Sequence, residues 1–228
     1  MYYGYGMDFA YLGIVVLSIV LGGITQAYIN SQYKKWSRVP ASTGRTGAQV
    51  ARQMLDSEGA PNVGIGRVDG HLTDYYDPRD NNLHLSSENF EGGSVASVAV
   101  ACHEAGHAVQ TAKGYAMGKF RTALVPVVNF TQQIWIVVLV IGMALGLVGL
   151  TQLAVALFAF SVLFQLVTLP VEIDASKRAV KYLSTEGGAI DEKGARQVLT
   201  AAALTYVAAA LISVLQLVYL MGRTDSRN

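Results

Sequence analysis

The chain has 228 residues, of which 52% are apolar and only 14% are charged, and its formal net charge is +1. This charged fraction lies well below the roughly one quarter that is usual in soluble globular domains, which indicates long uncharged segments. A near-neutral chain without a basic patch interleaved with aromatic residues gives no reason to expect nucleic acid as a partner. The single cysteine, Cys102, excludes an intramolecular disulfide and suits a reducing compartment.

Three long segments contain no Asp, Glu, Lys or Arg: Phe9–Asn30, Thr122–Val171 and Leu199–Gly222. A helix needs about 20 mainly apolar residues to span a bilayer, so the first and third segments each provide one span and the middle one provides two. We therefore predict a multi-pass protein of the cell membrane, with the lipid bilayer as a partner. The four predicted spans are Phe9–Ile29, Asn129–Leu147, Gln152–Leu169 and Leu199–Met221, and a turn at Gly146–Thr151 joins the middle two.

The first span has the length of a cleaved signal peptide as well as that of an anchor. No basic residue precedes it, and no small-residue cleavage site comes before Tyr33-Lys34-Lys35. A secretory signal peptide would have both a basic residue before the apolar segment and a small-residue cleavage site after it. We therefore interpret Phe9–Ile29 as a retained membrane anchor.

The distribution of Lys and Arg near the span ends predicts the orientation, because these residues are retained on the cytoplasmic side. They concentrate in the loop between the first and second spans and in the loop between the third and fourth spans. Both loops, and any active site that they form, are therefore expected to face the cytoplasm. Arg223 and Arg227 in the C-terminal tail are the exceptions.

The segment between the first span and Arg121 has roughly 90 residues, enough for a small domain that is marginally stable alone. Turn residues, alternation and capping signals divide it into short elements. In chain order these are a helix Arg45–Ser57 that starts after Ser42-Thr43, strands Val63–Val68 and Asn82–Ser86 with a turn at Asp77–Asn81, and a helix capped by Ser94 that runs to about Thr111.

The motif His103-Glu104-Ala105-Gly106-His107 lies inside that last predicted helix. Residues four apart project from the same face of a helix, so His103 and His107 can bind one ion while Glu104 points beside it. This geometry suits a single Zn²⁺, which lowers the pKa of a bound water. Glu104 would take the water's proton as general base during attack on a peptide carbonyl, and then pass it to the leaving amine.

A catalytic zinc needs a third protein ligand. Glu172 follows the third span directly, and the topology returns it to the same membrane face as the two histidines. His71, His84 and Asp174 are the other candidates, and Glu172 could instead be an acid at a helix start. Asp174 could also accept a hydrogen bond from a ligating imidazole. The candidates for stabilising the developing oxyanion are His71, His84, Tyr75, Tyr76 and Arg178.

Three features together resemble the YugP-like neutral zinc metallopeptidases of bacterial membranes: the span arrangement with HEAGH, the segment LTDYYDPRDNNLHLS at Leu72–Ser86, and PVEIDASKRA at Pro170–Ala179. More distantly, the chain is similar to the HtpX and CAAX-prenyl-protease group. The resemblance implies that Glu172 is the third ligand, as in a gluzincin. It also implies that Asn82–Ser86 is the strand at the cleft edge, where an extended substrate would pair. That group has an Asp four residues after the Glu, where this chain has Ser176, so Asp174 is a hypothetical substitute.

The predicted fold class is an integral membrane, mainly α protein with about four transmembrane helices and a small α+β, zincin-like cytoplasmic domain. The predicted function is a membrane-bound zinc metalloendopeptidase that acts on protein or peptide substrates, including unfolded or membrane proteins. The predicted parts are an anchor at 1–30, a zincin-like domain at 31–121, a transmembrane hairpin at 122–170, a cytoplasmic segment with the third ligand at 171–198, and the last span with the tail at 199–228.

Three other functions compete with this interpretation. An intramembrane protease fits poorly, because the apolar run before His103 is too short to span and Glu88 and Glu91 precede it closely. A transporter also fits poorly, because the predicted spans contain no ionisable carrier residue of the Asp, Glu, Lys or Arg type. A catalytically silent scaffold or chaperone partner that retains the zinc site remains open.

Overall fold

The computed structural model describes residues 9–225, so residues 1–8 of the predicted anchor and residues 226–228 of the predicted tail lie outside the described part. Within it the chain forms seven helices and one three-stranded sheet. The helices are α1 (Phe9–Trp36), α2 (Gly47–Ser57), α3 (Ser87–Phe90), α4 (Val95–Ala112), α5 (Ala116–Ala144), α6 (Val148–Glu186) and α7 (Ala189–Asp225). The strands are β1 (Gly64–Val68), β2 (Tyr75–Asp77) and β3 (Asn82–Ser86).

Four of the described helices, α1, α5, α6 and α7, are long and apolar enough to cross a membrane, which confirms the predicted number of spans. Helix α6 has 39 residues. It is therefore about 58 Å long, whereas the hydrocarbon core of a bilayer is about 30 Å thick. The turn between α5 and α6 is shorter than the predicted Gly146–Thr151, because α5 ends at Ala144 and α6 already begins at Val148. Gly146 within it has a φ of 65°.

Helix α6 continues without a break from its membrane segment into the segment beside the small domain. Pro170 lies inside the helix, and Glu172 follows it in the same helix. The interpretation of Glu172 as an acid at a helix start is therefore wrong. An unbroken helix holds Glu172 at a fixed distance from the third span, since each residue advances the helix by about 1.5 Å.

The small domain packs α2 and α4 against the sheet around a buried apolar core. Helix α2 starts later than expected: its N-cap is Thr46, which forms a capping box with Gln49, and not Ser42 or Thr43. Ser94 caps α4 as predicted, because its hydroxyl accepts a hydrogen bond from the Ser97 N–H at 3.1 Å. Such caps satisfy backbone donors that have no partner inside the helix.

The sheet has the strand order β1-β3-β2, with β1 parallel and β2 antiparallel to β3. Strands β1 and β3 and the turn between β2 and β3 agree with the sequence prediction. The expectation that Asn82–Ser86 is an edge strand is wrong, because β3 is central and pairs on both sides. The sequence did not reveal β2, because its three residues are too few to display an alternating pattern.

Helices α1, α6 and α7 hold the small domain to the membrane region. The Asp191 carboxylate at the start of α7 is fully buried and accepts from the Ser42 N–H through both oxygens at 3.0 Å. Gly194, one turn further along, lies directly against Trp36 and Val95, and a Cβ atom there would lie 2.7 Å from the Trp36 ring. The end of α1, the start of α4 and the start of α7 therefore meet without room for a side chain at residue 194.

We expect Gly194→Ala to lower the free energy of unfolding by about 1–3 kcal/mol, because the added methyl group overpacks this contact. Gly222→Ala on the same helix is the matched control, since a Cβ atom at Gly222 meets nothing within 4 Å. Thermal unfolding of the detergent-solubilised protein measures both. Equal melting temperatures for the two variants would contradict the packing described here.

Candidate metal centre

Helix α4 carries three of the predicted site residues on one face. His103 and His107 are one turn apart, and their ring centroids lie 4.8 Å from each other in an edge-to-face arrangement. Both side chains are largely buried, with 13% and 15% of their surfaces exposed. Glu104 between them is buried as well. Most of α4 is buried in the core, so its packing holds the orientation of these side chains.

Helix α6 brings Glu172 to the two histidines. One oxygen of its carboxylate, Oε2, lies 3.2 Å from His103 Nε2 and 3.4 Å from His107 Nε2. In a tetrahedral zinc site with bonds of 2.0–2.1 Å, neighbouring donor atoms are about 3.3 Å apart. Both distances from Glu172 therefore match the spacing of zinc ligands, and all three donor atoms lie within 4.8 Å of one another. Among the described residues, this is the one group of three or more potential ligands that could hold a metal ion.

The reach of Glu172 depends on a close approach between the backbones of α4 and α6. A Cβ atom at Gly106 would lie 2.8 Å from the Ala175 carbonyl oxygen and 3.1 Å from its Cα atom. Glycine therefore allows the two helices to touch in the middle of the HEAGH motif. Ala175 is itself fully buried at this contact.

The second nitrogen of each imidazole faces a polar partner. His103 Nδ1 lies 3.2 Å from Ser176 Oγ, and His107 Nδ1 lies 3.1 Å from Gln110 Oε1. A neutral imidazole that donates from Nδ1 has its lone pair on Nε2, which is the nitrogen that faces Glu172 on both rings. This is the arrangement that metal-bound histidines usually have.

Asp174 accepts a hydrogen bond from the Gln110 side chain and not from a ligating imidazole. The Gln110 amide donates to Asp174 Oδ2 at 2.9 Å and to the Val171 carbonyl at 2.8 Å, and Arg178 donates to the same Asp174 oxygen at 2.7 Å. Sequence reasoning missed Gln110, although its position three residues after His107 places it on the same side of the helix. In the sequence, Ser176 is distinguished only by its departure from the pattern of the HtpX group.

A cavity of about 150 Å³ adjoins His103, Glu104 and Glu172. Its other walls come from α1, α7 and the segment before β2, including Tyr33, Tyr206 and Leu72. Tyr206 and Glu172 line this cavity together. Sequence reasoning missed Tyr206 because it lies in the fourth predicted span, far along the chain from the motif.

Burial raises the pKa of the Glu104 carboxyl above its usual value, and Glu172 also raises it, whereas the neighbouring His103 and His107 lower it. The desolvation effect is the largest of these. Glu104 therefore binds a proton more readily than a carboxylate in water does. A carboxyl group with a raised pKa is suited to accepting and returning a proton near neutral pH.

The remaining candidate ligands lie away from this cluster. His71 is exposed and contacts Glu88, and His84 stacks on Tyr75 and contacts Asp80 at 2.9 Å. Within residues 9–225, none of the five residues considered for the oxyanion lines the cavity. Tyr33 and Tyr206 are the hydroxyl-bearing aromatic residues that do.

The similarity of the chain to known proteins agrees with a metal site at His103, His107 and Glu172. Residues 11–224 match the model of a protein family described as "Putative neutral zinc metallopeptidase". The chain is 41% identical to the "Putative membrane protease YugP" of Bacillus subtilis (strain 168) in an alignment of length 227 that covers 96% of this chain and 100% of that relative. No solved structure matches the chain significantly. The chain belongs to this zinc metallopeptidase family, and one of its relatives is a protein named as a membrane protease.

We expect Gln110→Leu to lower the free energy of unfolding by about 1–3 kcal/mol, because it removes the buried donor that joins α4 to α6. Gln152→Leu on α6 is the control, since Gln152 is exposed. Chemical denaturation in detergent measures both variants. An unchanged midpoint for Gln110→Leu would show that this link does not hold the helices together.

Proposed function

We propose that the protein is a membrane-bound zinc metalloendopeptidase in which His103, His107 and Glu172 hold one zinc ion and Glu104 is the general base. The observation that carries this proposal is the convergence of three donor atoms from α4 and α6 within 4.8 Å of one another. Glu172 Oε2 lies from both imidazoles at the distance expected between ligands of a tetrahedral zinc ion. Membership of the zinc metallopeptidase family supports the same ion.

The residues around the donors have chemically distinct tasks. A bound zinc ion would polarise a substrate carbonyl and make a water acidic enough to act near neutral pH. Glu104, beside the histidines, accepts the water's proton and returns it to the leaving nitrogen. Ser176 and Gln110 hold the two imidazoles in the tautomer that presents Nε2. Tyr206 lies where its hydroxyl can contact a substrate in the cavity.

The placement of the cavity supports substrates at the membrane surface. Its walls include Ile29 at the end of the first predicted span and Ala202 and Tyr206 inside the fourth. Peptide bonds of unfolded or membrane proteins near the bilayer would reach it most directly. The basic residues of both loops support a cytoplasmic site. The motif helix α4 is not among the candidate membrane spans of the described chain, which argues against cleavage inside the bilayer.

Replacing Glu104 tests the catalytic proposal. Glu104→Gln keeps the size of the side chain but removes the base, so we expect it to retain zinc and to cleave an unfolded protein on the order of 100-fold more slowly or worse. Proteolysis by the purified protein, with zinc measured in the same sample, checks this. Equal cleavage by wild type and Glu104→Gln would contradict the proposal. Bound zinc without cleavage in wild type would favour the silent scaffold.

Replacing Glu172 tests the ligand set. We expect Glu172→Ala to lose most of its zinc after dialysis, because two histidines alone leave the site one ligand short. Glu186→Ala is the control, since Glu186 is an exposed acid on the same helix. Elemental analysis of zinc per chain distinguishes the two variants. Full zinc retention by Glu172→Ala would remove Glu172 from the ligand set.

A further inference from the structure

A second cavity, separate from the one at the metal centre, lies between α6 and α7. This α6–α7 groove has a volume of about 430 Å³. Its principal lining residues are Ser176, Lys177, Val180 and Lys181 of α6 and Arg196 and Leu199 of α7. Neither the family description nor the name of the relative assigns it a role.

The groove is apolar at one end and polar at the other. The end near the membrane is formed by Ile173 and Ala203. Ile173 lies four residues after the third predicted span, and Ala203 lies four residues after the start of the fourth. The other end is formed by Ser184 of α6 and Glu192 of α7. Ser184 lies about 16 Å from Ile173 along α6, because the helix advances about 1.5 Å per residue. This gradient has the polarity of an amphiphile whose chains lie in the bilayer and whose head group lies outside.

The polar part of the groove is positively charged. Lys177 and Lys181 are exposed and lie one turn apart on the same face of α6, and Arg196 faces them from α7. The acidic residue of the lining, Glu192, accepts from Arg196 at 2.7 Å. Three cations and one anion leave a net charge of +2 on the groove. A phosphate group placed between the lysines would be attracted by both.

We propose that the α6–α7 groove binds one anionic phospholipid, with its phosphate at Lys177 and Lys181 and its acyl chains against Ile173 and Ala203. Basic grooves between membrane helices at the cytoplasmic surface are suited to anionic head groups. The apolar end favours a lipid over a free phosphate, because a free phosphate gains nothing from it.

The position of the groove connects a bound lipid to the metal centre. Ser176, Leu199 and Ala203 line both the groove and the cavity at the metal centre. Ser176 also lies 3.2 Å from His103 Nδ1. A lipid in the groove would therefore contact a residue that positions one of the histidines. Lipid binding in the groove does not require peptidase activity.

The test is a titration of the detergent-solubilised protein with phosphatidylglycerol or with phosphatidylcholine of the same acyl chains, with bound lipid counted by native mass spectrometry. We expect one molecule of phosphatidylglycerol to bind per chain. We also expect phosphatidylglycerol to bind with a lower Kd than phosphatidylcholine. Lys177→Gln with Lys181→Gln should weaken phosphatidylglycerol binding about 30-fold, as expected when two surface cations are lost.

The matched control is Lys34→Gln with Lys119→Gln, which removes two exposed lysines that also flank predicted spans but lie outside the groove. It should leave the binding of phosphatidylglycerol unchanged. Equal weakening by both double variants would overturn the proposal in favour of general surface attraction. Glycerol 3-phosphate is the soluble arm of the test. If it bound as tightly as phosphatidylglycerol, the groove would be a phosphate site and not a lipid site.

Discussion

The close approach of α4 to α6 at Gly106 and Ala175 is the contact on which the rest of the site depends. It places the Glu172 carboxylate 3.2 and 3.4 Å from two imidazole nitrogens that lie about seventy positions earlier in the chain. A buried carboxylate costs several kcal/mol unless it is paired, so the position of Glu172 is stable only with partners of positive or metal character. The zinc ion of the proposed function would be such a partner.

The membrane helices are part of the small domain as well as its anchor. Residues of α6 and α7 beyond the predicted spans, including Ala179, Leu183, Ala195 and Val198, belong to the same buried core as α2, α4 and the sheet. A domain of roughly 90 residues buries too little surface to be robust alone, and these helices supply the missing core. Helix α7 also places Tyr206 in the wall of the cavity, and α1 places Ile29 there. Membrane attachment and construction of the site are therefore one structural arrangement.

The residues around the donors differ in how far the sequence could have revealed them. Gln110 is local to the motif, three residues beyond His107, and helical spacing was enough to find it. Ser176 and Tyr206 are not local, because each reaches the site through the packing of one long helix against another. The assignment of the cleft-edge strand failed for a related reason. Strand order is set by non-local pairing, which the alternation within Asn82–Ser86 does not report.

The sequence by itself determined the four spans, the helix that carries His103, Glu104 and His107, and two of the three strands. Hydropathy, helical spacing and capping are local properties, and each acts within one or two turns of the chain. Only the tertiary structure decided which of Glu172, Asp174, His71 and His84 meets the histidine pair, that β3 is central, and that Tyr206 faces the site. These depend on how distant elements pack, since no local interaction distinguishes one acidic or imidazole side chain from another.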